Sequence, residues 1–419
     1  RTNSDFFDAT SLGVKNTYSY VPNVALLAVS NSFNLGLGTE FDSYYRPKTY
    51  AFSDDLTYVK GAHQWGFGGV VNLSHWNLNS NVRTVPGFTF DGSATGLPLA
   101  DFLTGRVRQF RQSSPFVMDA TQRNFGVYAQ DTWRLSSNVT MNYGLRYEPW
   151  IPQQHQNGHI YSFSIDRYKA NQISSVYPNA LPGFTYPGDP GFYGKGGMPT
   201  NWMNFQPRVG LSWDPGGDGR TSIRTGYGLN GDFISGQFFF DSNQAWPFNY
   251  EVNAIGTNVT NFDDPWAGLG RTNPYPVTLG ATLPKVPAGA FIMVPNDLKG
   301  TRVHAWNAAF QRQLGSSFAV SATYLGNYMN HIWGDVTGNP GRLPAGAAAT
   351  GPCTLNSPTG PQTFANCSTA PLDLRREFTQ ANPAIGQYIG YLDWMTDAGW
   401  QRYNGLLLSL QKRAGNGLS

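Results

Sequence analysis

The residues of this 419-residue chain that could do chemistry are few and scattered. Gly226-Tyr227-Gly228-Leu229-Asn230-Gly231 has the GxGxxG spacing, in which glycines let a backbone approach a pyrophosphate at a helix N-terminus. The next residues, Asp232-Phe233-Ile234-Ser235-Gly236, carry no helical period, so the glycines read better as bulk relief in a strand entering a loop. His155 and His159 stand four apart in HQNGH, a spacing that aims two imidazoles at one metal only on a helix. Pro152, Asn157 and Gly158 around them indicate a loop instead. No metal site is expected.

The paired acids Asp54-Asp55 and Asp263-Asp264 point to opposite faces of a strand or sit in loops, and neither resembles a calcium loop. No GxSxG nucleophile elbow occurs. The chain is therefore not expected to be an enzyme, and no cofactor is implied. Arg106, Arg108 and Arg111 form a basic cluster in TGRVRQFRQ. It fits a solvated loop or a lumen wall better than a phosphate grip.

The elements that would position these residues are strands. Residues 124–150, NFGVYAQDTWRLSSNVTMNYGLRYEPW, hold two alternating runs joined by Ser136-Ser137-Asn138. In the second run Val139, Met141, Tyr143, Leu145 and Tyr147 share one face, and Thr140, Asn142, Gly144, Arg146 and Glu148 share the other. A strict period of two predicts a β-hairpin with one apolar and one polar side. Similar hairpins are predicted with turns at residues 60–63, 215–219 and 315–317, and residues 401–412 read as one more strand. One short helix is expected over residues 98–103, with Leu99, Phe102 and Leu103 on one side. Weaker strand signals occur within residues 18–37.

Aromatics make up 15% and charged residues 13% of the chain, with 48 Gly and 28 Pro. That balance argues against disorder and favours strands with long loops over helices. A net charge of +3 is too small to suggest a nucleic-acid partner. No run of 18 apolar residues exists. No leader is recognisable, and both ends read as cut from something longer.

Turns of roughly three to six residues alternate with connections of roughly 45 to 70, unlike the uniformly short loops of compact domains. Alternating strands with short turns at one end and long loops at the other describe an antiparallel up-and-down transmembrane β-barrel in the outer membrane of a bacterium. Its short turns would face the periplasm and its long loops the exterior. Only a closed barrel pairs every backbone group in lipid. About 11–13 strands are expected. A soluble propeller or sandwich would explain the alternation but not the two classes of loop length.

The segments YAQDTWRLSSNVTMNYGLRYEPW, FQPRVGLSWDPGGDGRTSIRTGYGL and FSDDLTYVKGAHQWGFGG resemble the barrel of TonB-dependent outer-membrane transporters, in particular their Oar-like branch. The likeness covers residues 44–412, most of the 1–419 barrel domain expected here. It implies import of a scarce or bulky small-molecule or oligomeric ligand (siderophore-, glycan- or peptide-like) and contact with outer-membrane lipid. It also implies coupling to a TonB complex through an amino-terminal plug region. Neither a plug, a carboxypeptidase-regulatory-like region nor a TonB box is visible in the sequence. A passive porin, a surface adhesin or a secreted carbohydrate-binding β-protein are the alternatives.

Within the barrel reading Leu145, Leu211, Ile223, Val320 and Leu408 should face lipid, whereas Arg146, Glu148, Arg208, Arg220 and Arg224 should line the lumen. Cys353 and Cys367 bracket a segment rich in Pro, Gly, Ser and Thr, and a pair in a cell-surface loop should form a disulfide. Aromatics are dense in the long connections, where they could either fold the loops or stack on a ligand. Three consecutive Phe in an extended segment cannot all face one way. Phe238, Phe239, Phe240 and Trp246 are therefore the candidate lining of an outer vestibule.

Overall fold

The computed structural model describes residues 7–35, 42–232 and 244–412. Its first strands are β1 (Leu26–Val29), β2 (Phe33–Leu35), β3 (Tyr44–Lys60), β4 (His63–Ser80) and β5 (Gly87–Phe90). β6 (Arg106–Ser113), β7 (Phe116–Ser136), β8 (Val139–Tyr147), β9 (Gln154–His155), β10 (Ser162–Phe163) and β11 (Phe184–Thr185) follow. Next come β12 (Phe205–Trp213), β13 (Thr221–Gly231), β14 (Glu251–Asn261), β15 (Gly289–Met293) and β16 (Arg302–Leu314). The last are β17 (Phe318–Thr337), β18 (Cys353–Leu355), β19 (Gln362–Phe364) and β20 (Ile389–Lys412).

The largest sheet has 11 strands in the order β15-β20-β17-β16-β13-β12-β8-β7-β4-β3, with β9 attached to β7. Setting the short β9 and β15 aside leaves nine antiparallel strands, each beside its neighbour in this meander. The short turns all lie on one rim. The pairs Lys60–His63, His63–Trp133, Val139–Trp213, Thr221–Arg312 and Phe318–Lys412 step along that rim from strand to strand.

Residues directly opposite on neighbouring strands share a face. Leu145 faces Pro207, Leu211 faces Thr225, Ile223 faces Phe310, and Ala322 faces both Phe310 and Leu408. The parity of two then puts Leu145, Leu211, Ile223, Val320 and Leu408 on one side of the sheet. The other side carries the row Asp55, Gly68, Tyr128, Arg146 and Gln206. One apolar side and one polar side is the construction of a barrel wall between lipid and lumen.

The sequence placed the short turns and the strand ends beside them well but underestimated the lengths, since β7 begins at Phe116 rather than 124 and β20 at Ile389 rather than 401. β7, β17 and β20 run for 21, 20 and 24 residues, about twice the 9–11 that cross a bilayer. The extra residues lie on the side of the long connections. The helix Pro98–Leu103 forms as expected, and Phe102 of its apolar side packs against the loop core, on Phe33 and Phe90. Leu99 and Leu103 are exposed, whereas Asp101 is buried and accepts from the Thr95 hydroxyl and the Thr95 and Ala94 amides.

The long connections build a second unit beyond the opposite rim. Its sheet has the order β14-β6-β5-β1-β2, and its core gathers Phe88, Phe110, Tyr161, Phe184, Tyr186, Trp266 and Phe291. Loops of this length cannot leave their backbone polar groups bare, so they fold on their own aromatic core.

Candidate ligand-binding cavity and lumen wall

A cavity of about 1010 Å³ opens among these loops. β6 and β14 form one wall. Arg111 of β6 sits opposite Asn253 in that pairing, and its guanidinium reaches Glu251 at 2.7 Å through Nη2 and 2.8 Å through Nε. Arg83 approaches the same carboxylate at 3.1 Å. Its backbone is left-handed at φ 63°, and its carbonyl accepts from the Ser113 amide at 2.7 Å. Arg108 pairs with Asp91 at 3.1 Å.

The facing wall is the segment after the disulfide. Cys353 and Cys367 are bonded and pack with Leu355 and Ala370 in a small buried cluster. Arg375 donates to the Ala370 carbonyl at 3.2 Å, and Arg376 pairs with Asp373 at 2.8 Å. Asn339 is fully buried and ties this wall to the sheet. It donates to the Ile389 carbonyl at 2.5 Å and accepts from the Phe378 amide at 3.0 Å, while its own carbonyl accepts from Arg376 at 2.9 Å. Ile255, Leu372 and Tyr391 add exposed apolar surface. A concave site with convergent polar groups and apolar patches suits a small molecule.

Of the residues singled out in the sequence, Arg108 and Arg111 belong to this cavity, in a strand rather than a solvated loop. Glu251, the acidic partner of Arg111, lies 140 residues away from it in sequence, a separation that no local pattern reveals. Phe238, Phe239 and Phe240 lie outside the described residues. Trp246 corrects the vestibule expectation, because it is a core residue of the loop unit. It is 7% exposed, packs near Tyr177 and Tyr186, and donates to the Leu283 carbonyl at 3.2 Å. Tyr250 and Trp266 are buried in the same core.

Lower on the wall, the polar face carries Arg146, Glu148, Arg208 and Arg224. Arg146 donates to Glu148 at 2.6 Å, and Arg208 donates to Asn230 at 2.9 Å. A groove of about 490 Å³ runs past Tyr128, Gln130, Arg146 and Arg208. Arg220 departs from the expectation. It lies in the turn before β13 at the rim, with a 69%-exposed side chain, because the strand begins only at Thr221.

The glycines of the GxGxxG string serve the sheet. A side chain at Gly231 would press on Gln206 of the next strand, whereas one at Gly228 would make ordinary contact with Arg208. The two histidines of HQNGH also part company. His159 donates from Nδ1 to the Val117 carbonyl at 3.1 Å and stacks on Phe248, whereas His155 of β9 pairs with Ala120 of β7 and is fully buried. Burial and the nearby His159 push the His155 imidazole down to about 3. Among the described residues no group of three metal-ligating side chains converges.

A meander of long strands with a lipid face, a polar face, short turns on one rim and large loops on the other defines an outer-membrane β-barrel wall. The family described as "Outer membrane beta barrel domain" matches residues 1–419, and the chain belongs to it. Its place is the bacterial outer membrane. No curated protein matches the sequence.

Among solved structures, the chain is similar to the outer membrane transporter YddB from Escherichia coli, at 11% identity and a TM-score of 0.45. The match covers 93% of this chain and 34% of that one. It is also similar to the FrpB iron transporter from Neisseria meningitidis, at 11% identity and a TM-score of 0.35, covering 88% of this chain and 34% of the other. The siderophore receptor PirA from Acinetobacter baumannii matches at 11% identity and a TM-score of 0.34, over 87% of this chain and 34% of that one. The chain thus spans about a third of the length of these structures.

Proposed function

We propose that this chain is part of the barrel and the outer loops of an energised importer, of the TonB-dependent kind that its segments resemble. The single observation behind this reading is the cavity of about 1010 Å³ walled by three long connections on the rim opposite the short turns. A passive pore needs an open outer end. Here four connections pack into one aromatic core beyond that rim, including Phe110, Tyr161, Trp266 and Phe378. Loops that are folded around a cavity can capture a ligand before it passes the wall, which suits a scarce solute. The similar proteins include ones named as iron transporter and siderophore receptor, and a small metal-carrying or organic ligand is the corresponding expectation here.

The test uses cells that carry the complete reading frame. They are grown in conditioned medium with and without the gene, and with and without the TonB energy-coupling system. Compounds removed from the medium are then identified by mass spectrometry. The reading expects at least one solute whose removal needs both. A solute removed at the same rate without energy coupling would make the protein a passive pore, and no depletion at all would favour an adhesin.

A further inference from the structure

We propose that the loop cavity binds an organic oxyanion, a molecule with carboxylate or phosphate groups on a compact apolar body. This deepens the importer reading and rests on it for the direction of movement, while binding rests on the cavity alone.

Charge carries the inference. Five arginines line the cavity, Arg83, Arg108, Arg111, Arg375 and Arg376, against three acids, Asp91, Glu251 and Asp373. Two of the acids are each matched by one arginine, Arg108 on Asp91 and Arg376 on Asp373. Glu251 serves two guanidiniums at once, those of Arg83 and Arg111. Arg375 is held by the Ala370 carbonyl and takes part in none of the ion pairs among the described residues. The side chains that line the cavity therefore carry two positive charges in excess, one on each wall.

Guanidinium groups are planar donors that match carboxylate and phosphate geometry, and a confined site raises their pull on an anion. Arg83, Arg111 and Arg376 are each at least two-thirds covered in their side chains. Water therefore screens them less than it would on an open surface. The apolar patch specifies the rest of the ligand. Ile255, Leu372 and Tyr391 are 54%, 49% and 44% exposed where they line the cavity. A hydrated inorganic anion would leave them bare, whereas a ring or short hydrocarbon body would cover them.

The site is already positioned for such a ligand. Arg111 is fixed by strand pairing and Arg83 by its carbonyl bond to Ser113, while the disulfide and Asn339 hold the opposite wall. Little ordering is left for the ligand to impose, which favours affinity.

The test measures binding of 7-methoxycoumarin-3-carboxylate, a fluorescent aryl carboxylate with no other ionisable group, to the detergent-solubilised full-length protein by fluorescence anisotropy. Its methyl ester serves as the uncharged counterpart. The variants are Arg375→Gln, Arg111→Gln and, as a control on non-specific charge, Arg220→Gln in the opposite rim. Wild type should bind the acid and not the ester, and binding should weaken as salt rises. Arg375→Gln and Arg111→Gln should each weaken binding about tenfold, and Arg220→Gln should leave it unchanged. Heat-modifiable migration of each variant confirms that it is folded.

Competition by phthalate or by glucose 6-phosphate then separates a carboxylate ligand from a phosphorylated one. Equal binding of acid and ester, or wild-type affinity in both cavity variants, would overturn the proposal. Equal weakening by Arg220→Gln, or failure of both competitors, would do so too. Anion binding without energy-dependent depletion of any solute would keep this site and remove the importer reading. Energy-dependent uptake without anion binding would do the reverse.

Discussion

Tyr128 donates its hydroxyl to Asp55 at 2.6 Å, although their strands β7 and β3 are separated by β4. The bond passes over Gly68, which lies opposite both residues. A Cβ at Gly68 would overlap the Asp55 carboxylate and lie 2.5 Å from the Tyr128 ring. Three strands of the wall are thereby tied on the polar face through one missing side chain. Gly68→Leu should displace the pair and destabilise the wall by about 1–3 kcal/mol. Urea unfolding of the full-length protein in detergent checks this, with Gly334→Leu as a comparison where an added Cβ meets nothing within 4 Å.

The two faces of the wall should respond differently to charge. Leu211 lies on the lipid side and Arg208, three residues earlier, on the polar side. Leu211→Arg should cost about 2–4 kcal/mol if its depth is near the middle of the bilayer. Ser321→Arg, on the polar face opposite Gln311 and Ser409, should cost well under 1 kcal/mol as an ordinary surface change. Folding titrations into lipid vesicles measure both, and equal costs would contradict the assignment of faces.

The bond between Cys353 and Cys367 closes a loop with a sequence separation of 14. In the chain-entropy model a loop of about 15 residues gains roughly 3 kcal/mol of order from its crosslink. Because that loop leads into the cavity wall, the double change Cys353→Ser and Cys367→Ser should loosen the wall without unfolding the strands. Faster amide hydrogen exchange over residues 351–376, with unchanged exchange in β16, is the expected pattern.

Acid should loosen the connection that contains His155. The imidazole has a folded value of about 3 against 6.5 when exposed. Between those values the unfolded segment binds more protons than the folded one, so stability rises with pH through this window. The contribution is complete above about pH 6.5 and falls by at most about 1.4 kcal/mol for each pH unit below it. Limited proteolysis within residues 148–204 should accelerate as pH drops from 6.5 towards 4. His155→Gln should flatten that dependence.

Much of the wall was legible in the sequence because one of its faces meets oil. The alternation of Val139 to Tyr147, and of Val209 to Trp213, follows directly from that boundary. The same signal is lost in the outer parts of β17 and β20, whereas in β7 Phe116, Met118 and Ala120 still alternate because they pack on Leu78. β17 also breaks register near Met329 and Ile332. The cavity was only half visible. Arg108 and Arg111 stood out as a cluster, but Arg83, Glu251 and Arg375 come from distant stretches without any period. Trp246 shows the opposite error, since aromatic density in a loop marks a folding core as readily as a ligand surface.

The central claim is that the cavity loops face outward and the short turns face the periplasm. Single cysteines at Asp373, on the cavity wall, and at Ser316, in the turn between β16 and β17, test it most directly. The native cysteines are bonded to each other and do not compete for a thiol reagent. A membrane-impermeant maleimide applied to intact cells should label the Asp373→Cys protein at once and the Ser316→Cys protein only after lysis. Labelling of Ser316→Cys on intact cells, with Asp373→Cys protected, would contradict the account.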